Sequence, residues 1–87
     1  MKLRDGFELK KYDGQYQVVC TDKTVSFNNS IILGETSAFL WKQLSTGEKS
    51  KEELLNSLLS NFDISTVLAL SDIDSFVKIL SRNGIIE

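Results

Sequence analysis

The sequence predicts an α+β fold, a small antiparallel sheet of about three strands followed by three helices. Three observations carry this reading. The first third of the chain alternates apolar and polar residues, is rich in β-branched and aromatic types, and is broken by turn signals. From Gly34 onward apolar residues recur at helical spacing instead. Each helical stretch also carries its own start or stop signal.

The elements follow in order. Phe7, Leu9 and Lys11 alternate with Glu8, Lys10 and Tyr12, the pattern of a first strand. Asp13-Gly14 suits the positive backbone angles of a tight hairpin turn. Gln15 to Cys20 is the return strand. Thr21-Asp22-Lys23 is turn-like, and Thr24-Val25-Ser26-Phe27 is expected to continue or extend the hairpin. Asn28-Asn29-Ser30 signals another turn before a short strand, Ile31-Ile32-Leu33. The first helix is predicted to start near Gly34 and to cover Glu35 to Leu44, with Gly47 as its left-handed stop. Ser50-Lys51-Glu52-Glu53 is a capping box that opens the second helix. Leu54, Leu55, Leu58 and Leu59 give that helix an apolar face, which Phe62 extends. The third helix is predicted from Ser65 to Asn83, with Ile73, Phe76, Val77 and Leu80 on one face and Gly84 as the stop. Ile85 and Ile86 are expected to fold back as a terminal clip.

Size and composition bound the function. The chain has 87 residues, 41% of them hydrophobic and 25% charged, the mix of an ordinary globular domain. That length has room for one domain, residues 1–87. A chain of this size buries only about 60–65% of its unfolded surface, so its core is thin. With no His there is no imidazole base, no His-paired nucleophile and no His metal ligand. A single Cys, Cys20, makes neither an internal disulfide nor a thiolate metal cluster. A small secreted domain usually needs such staples, so a reducing cytoplasm is the expected location. No signal-peptide pattern opens the chain, and no apolar run approaches the ~20 residues of a membrane span. No cofactor, metal site or membrane partner is expected. A small acidic chain of this kind is expected to bind rather than to react.

The remaining chemistry-bearing residues have structural explanations. Asp72 and Asp74 are two apart, so a helix points them away from each other and an acid–base pair is disfavoured. Asp74 is read as a solvated flank, with a cap from Ser71 as an option because Ser71-x-x-Asp74 repeats the capping pattern. Cys20 is read as a small hydrophobe at a strand end, and Trp41 as core. The glycines are scattered and form no phosphate loop. Strands followed by three short helices also suit a winged-helix nucleic-acid module. Charge disfavours that: the net charge is −2, residues 1–33 carry +1 and residues 34–87 carry −3. The third helix offers phosphates only Lys78 and Arg82, beside Asp72 and Asp74. A small sheet must also expose an edge, and Ile31-Ile32-Leu33 beside a helix could accept an extended peptide as an added strand.

One further pattern is carried by an ordered set of residues. Leu33-Gly34-Glu35-Thr36-Ser37-Ala38-Phe39-Leu40-Trp41 resembles the L-N-E-T-G-A-F-L-W segment of the PqqD family, named for pyrroloquinoline quinone biosynthesis. Gly47 and then Ser50-Lys51-Glu52-Glu53-Leu54 resemble the family's G…T-x-E-E-L. Ala69, Asp72, Phe76, Leu80 and Gly84-Ile85-Ile86 resemble its closing A-x-x-D…G-l-l pattern, and the matches run in order over about residues 7–87. Gly34 and Ser37 depart from the family's Asn and Gly. Gly is an acceptable N-cap and Ser is tolerated in a first turn, so the fold is not threatened.

The resemblance implies a winged-helix-like domain that acts as a peptide chaperone, a recognition element for ribosomally made, post-translationally modified peptides. Such a domain binds the leader of a precursor peptide and presents it to a modifying enzyme, often a radical SAM protein. In the family the leader adds to the third strand, in the groove beside the third helix. Carried onto this chain, that implies a peptide-binding set of Ser30, Ile31, Ile32 and Leu33 on the strand and Asp74, Val77, Lys78 and Ser81 on the helix. No residue is assigned to catalysis. Related domains serve many peptide pathways, so the resemblance does not make pyrroloquinoline quinone the product. Three other readings stay open: a nucleic-acid-binding winged helix, a thiol enzyme working through Cys20, and a structural adaptor whose edge strand pairs with a copy of itself. A monomer or weak dimer is expected.

Overall fold

The computed structural model describes residues 1–24, 26–27 and 30–87. Six elements follow one another: β1 (Phe7–Tyr12), β2 (Gln15–Cys20), β3 (Ile31–Leu33), α1 (Glu35–Ser45), α2 (Lys51–Asn61) and α3 (Thr66–Arg82). The strands form one antiparallel sheet in the order β1-β2-β3. This is the α+β, winged-helix-like arrangement that the sequence predicts.

Hairpin chemistry sets the register. Asp13 and Gly14 sit at φ 48° and 80°, the positive angles of a two-residue turn that matches strand twist. Tyr12 therefore faces Gln15, and Leu9 faces Val18. Val18 in turn faces Ile31, so Leu9, Val18 and Ile31 stand in one row on the face covered by the helices. The extension expected over 24–27 does not form a strand among the described residues, and Val25 lies outside them. Asp22 holds a local turn instead, its Oδ1 accepting from the Thr24 N–H at 2.9 Å and the Thr24 hydroxyl at 2.6 Å. Phe27 then packs edge-on against Phe7, with ring centroids 5.3 Å apart. Of the predicted turn 28–30, Asn28 and Asn29 lie outside the described residues.

The helices begin and end where their caps require. At α2 the Ser50 hydroxyl accepts from the Glu53 N–H and the Glu53 carboxylate accepts from the Ser50 N–H, each at 3.1 Å. Ser65 caps α3 by accepting from the Leu68 N–H at 3.2 Å. Ser71 lies inside that continuous helix, so it caps nothing for Asp74, which instead accepts from Lys51 Nζ at 2.6 Å. At the far end of α3, Gly84 takes φ 68°. Its N–H donates to the Ser81 carbonyl at 3.2 Å, and the Ile85 N–H donates to the Leu80 carbonyl at 2.9 Å. This turn drops Ile85 into the core and aims the last residues back at the first ones. Arg4 N–H then donates to the Ile85 carbonyl, Glu87 N–H to the Lys2 carbonyl, and Leu3 bridges Ile86. The terminal clip therefore joins both ends of the chain.

A single apolar cluster joins the sheet and all three helices, through Val18, Leu33, Leu40, Leu54, Ile73 and Phe76 among others. Trp41 belongs to it, as its lone position on an apolar helix face predicts. Phe62 ends the α2 stripe by stacking edge-on against Phe39, with centroids 5.2 Å apart. Cys20 is half-buried at the end of β2.

Two stability predictions follow from this packing. Ile73 is fully buried, so Ile73→Ala is expected to lower the unfolding free energy by about 2–5 kcal/mol, read from the urea midpoint. The second concerns pH. Hydrogen bonds from the Ser50 backbone N–H and then its hydroxyl hold the Glu53 carboxyl below its ordinary pKa. A carboxyl with a lowered folded pKa stabilises the fold fully above its unfolded pKa, and that contribution is lost as pH falls through the folded value. Thermal unfolding followed from neutral pH into the carboxylate range should show this acid limb, and Glu53→Gln should flatten it.

Candidate functional site

The sheet order leaves β3 at an edge. One side of its backbone pairs with β2, and no strand among the described residues covers the other. The side chains of β3 alternate as its three residues require. Ile31 and Leu33 point into the core, while Ile32 is 55% exposed on the opposite side. A three-residue strand exposes only a short edge, which carries little risk of pairing with other chains and can stay open.

Helix α3 runs beside that edge. Ile79, 40% exposed, and Asn83 line a hollow of about 430 Å³ together with Ser30, Ile31 and Ile32. The Asn83 amide donates to the Ile79 carbonyl at 2.8 Å, which holds it along the helix. Further along, the Thr36 hydroxyl donates to Asp72 at 3.3 Å and ties α3 to the first turn of α1. Only Gly34 separates that turn from β3, so the strand and the helix wall are held at a fixed spacing. The result is a preformed groove with an unpaired strand edge on one side and an apolar helix flank on the other. A second hollow of about 460 Å³ lies at the hairpin end of β3, lined by Ile32, Leu33, Gly34 and Glu35 with Lys11, Gly14, Gln15 and Tyr16.

Ser30, Ile31 and Ile32 thus lie together in the groove, whereas Leu33 is buried in the core and borders the second hollow. The four helix residues that accompany them in the sequence reading sit elsewhere on α3. At about 100° per residue, Asp74, Val77, Lys78 and Ser81 lie roughly 100–160° round the helix from Ile79. Asp74 faces α2, where it pairs with Lys51, and shares a separate hollow with Lys78, Val67 and Leu70. Val77 packs against the core and Ser81 is exposed. Ile79 and Asn83 are absent from the peptide-binding set that the sequence reading implies. The available signal was Ile79 itself: once the core stripe Ile73, Phe76 and Leu80 is assigned, it is an apolar residue left over on the flank.

Chemistry beyond binding has few supports here. Among the described residues no three His, Cys, Asp or Glu side chains come together as a metal site. The two carboxyls with lowered pKa, Asp22 and Glu53, owe it to local hydrogen bonds from Thr24 and Ser50. No helix among the described residues is long and apolar enough to cross a membrane.

A winged-helix-like α+β chain with an open third strand beside its last helix is the class of protein defined so far. Comparison with known proteins then fixes the family. The family described as Coenzyme PQQ synthesis protein D (PqqD) matches residues 18–86, and the chain belongs to it. The matched region starts inside β2, so β1 precedes it. Among solved structures, TbiB1 in complex with the TbiA(beta) leader peptide is similar with a TM-score of 0.75, at 18% identity, covering 100% of this chain and 95% of that one. At that identity the likeness speaks for the fold. No curated protein matches.

Proposed function

We propose that this chain is a non-catalytic adaptor that captures the leader of a ribosomally made precursor peptide and presents it to a separate modifying enzyme. The carrying observation is the open edge of β3 held beside the Ile79 flank of α3. An extended peptide added there gains main-chain hydrogen bonds from β3, and alternate side chains meet Ile32 on one side and Ile79 on the other. Because Thr36–Asp72 and the buried stripe of α3 already fix the groove, little ordering is needed on binding. Membership of the PqqD family and likeness to TbiB1, a protein solved with a leader peptide, support this reading.

The mechanism is delivery. Fixing the leader raises the effective concentration of the attached core peptide at the enzyme, which does the covalent chemistry. A radical SAM protein is the kind of enzyme this role suits, and the cytoplasm, where precursor peptides are made, is the matching compartment. On this reading the chain needs no cofactor of its own.

The test is to titrate the leader of a precursor encoded beside this gene against the labelled protein. The amides of Ser30–Leu33, Ile79 and Asn83 are expected to shift, and absence of any shift with every neighbouring precursor overturns the proposal. Ile32→Lys and Ile79→Lys should each weaken binding at least about tenfold, equivalent to 1.4 kcal/mol, without lowering the unfolding temperature. Asp74→Ala and Lys78→Ala decide which flank of α3 is used. Affinity within about twofold of the parent assigns the Ile79 flank. A tenfold loss in either would move the site to the α2 side.

A further inference from the structure

The opposite edge of the sheet carries a second feature that peptide capture at β3 does not use. Between the helix-facing side of β1 and helix α1 lies a cleft of about 400 Å³, within the size range of real ligand pockets. Its apolar wall is made by Leu3, Phe7, Leu9 and Trp41. Lys11 from β1 and Lys42 from α1 stand at the same Tyr16 ring, each Nζ 5.2 Å from the centroid. Neither lysine takes part in an ion pair among the described residues. Glu8, which also borders the cleft, is paired with Lys10 at 3.8 Å. Two like charges converging on one ring, neither of them in an ion pair among the described residues, form a local positive field beside an apolar hollow.

We infer that this cleft is a docking site for an acidic peptide segment, one that places a large apolar side chain in the hollow and flanking carboxylates on Lys11 and Lys42. Charge complementarity selects this occupant: an uncharged segment would leave both ammonium groups uncompensated, and a basic one would be repelled. The natural supplier is the enzyme that acts on the captured peptide, and that attribution alone rests on the adaptor reading. Because β1 and β3 are opposite edges of the sheet and the Ile79 groove shares no lining residue with the β1 cleft, a peptide in that groove leaves the cleft free. One small chain can then hold substrate on one edge and enzyme on the other.

Trp41 is the only tryptophan in the chain and lines the cleft, so its emission reports occupancy directly. The probe is the synthetic peptide acetyl-Glu-Asp-Phe-Leu-Glu-Asp-amide, titrated into the full chain. A saturable change in Trp41 emission is expected, weakening at least about tenfold in the Lys11→Glu/Lys42→Glu double variant and several-fold when ionic strength rises from about 0.05 M to about 0.5 M. The Lys11→Gln/Lys42→Gln variant, checked for an unchanged thermal unfolding curve, separates lost attraction from a damaged fold. The same peptide with Lys at every acidic position should give no saturable change. Ile79→Lys, whose side chain lines the β3 groove and shares no hollow with Lys11, Tyr16 or Lys42, should bind the acidic probe like the parent, which keeps this test separate from that of the β3 groove. No saturable response, equal response to the basic peptide, or a response indifferent to both lysine variants would overturn the proposal. A concentration-dependent dimer lost in the charge-reversed variant would assign the cleft to a second copy and overturn it too.

Discussion

Ile73, Phe76 and Leu80, one stripe of α3, are all essentially inaccessible to solvent, and their burial fixes the rotation of that helix about its own axis. The rest of the site follows from that rotation. With the stripe facing the core, one flank of α3 meets α2, and the other meets the first turn of α1 and, at Ile79, lines the hollow beside β3. Asp74 falls on the first flank and finds Lys51 there. Ile79 and Asp72 fall on the second, where Asp72 accepts from Thr36 and Ile79 is left beside the open strand. A rotation of one residue position, about 100°, would turn one flank into the core and bury a charge, Asp72 or Asp74 according to its sense, so core burial sets the composition of the groove.

The Gly84 turn reinforces that rotation. It sends Ile85 under the end of α3, where it is fully buried, and passes the chain on to pair with residues 2–4. In a chain whose core is thin, such closure replaces the disulfide staples that a single cysteine precludes. It also keeps the last turn of α3, which carries Asn83 and follows Ile79, from fraying into the groove.

Much of this was legible in the sequence, because the signals were local. The Asp13-Gly14 turn, the Ser50–Glu53 box, the helix start near Ser65 and the Gly84 stop each depend on a few adjacent residues, and each lies where the residue types require. The segment 24–27 reads as strand by composition, but a side-chain bond from Asp22 and the packing of Phe27 on Phe7 compete with the ladder. The open strand was also visible as a candidate, Ile31 to Leu33, since a small sheet must expose an edge; Ser30 to Leu33 as a peptide-binding strand was what the family resemblance implied. The flank of α3 that lines the hollow beside it was not visible. Periodicity gives the buried face of α3 but not which flank turns toward which neighbour; that depends on the handedness with which α3 crosses the sheet. Lys11 and Lys42 are 31 positions apart in sequence, so their convergence on Tyr16 had no local signal at all.

The layering of sheet and helices also bears on why the two proposed sites lie at the sheet edges. A three-stranded sheet covered by helices on one face has no interior in which to enclose a ligand. Hydrogen-bonding capacity that the core cannot use is therefore concentrated along β3 and β1, and the flanking helices decide what each edge accepts. Beside β3 the flank is apolar with an amide at its end, which suits a peptide backbone and its apolar side chains. Beside β1 it is an indole wall with two ammonium groups, which suits carboxylates next to an apolar anchor. The two edges differ in chemistry because two different helices, α3 and α1, stand over them. On the two proposals above, that difference is what keeps two partners apart on a chain with one thin core.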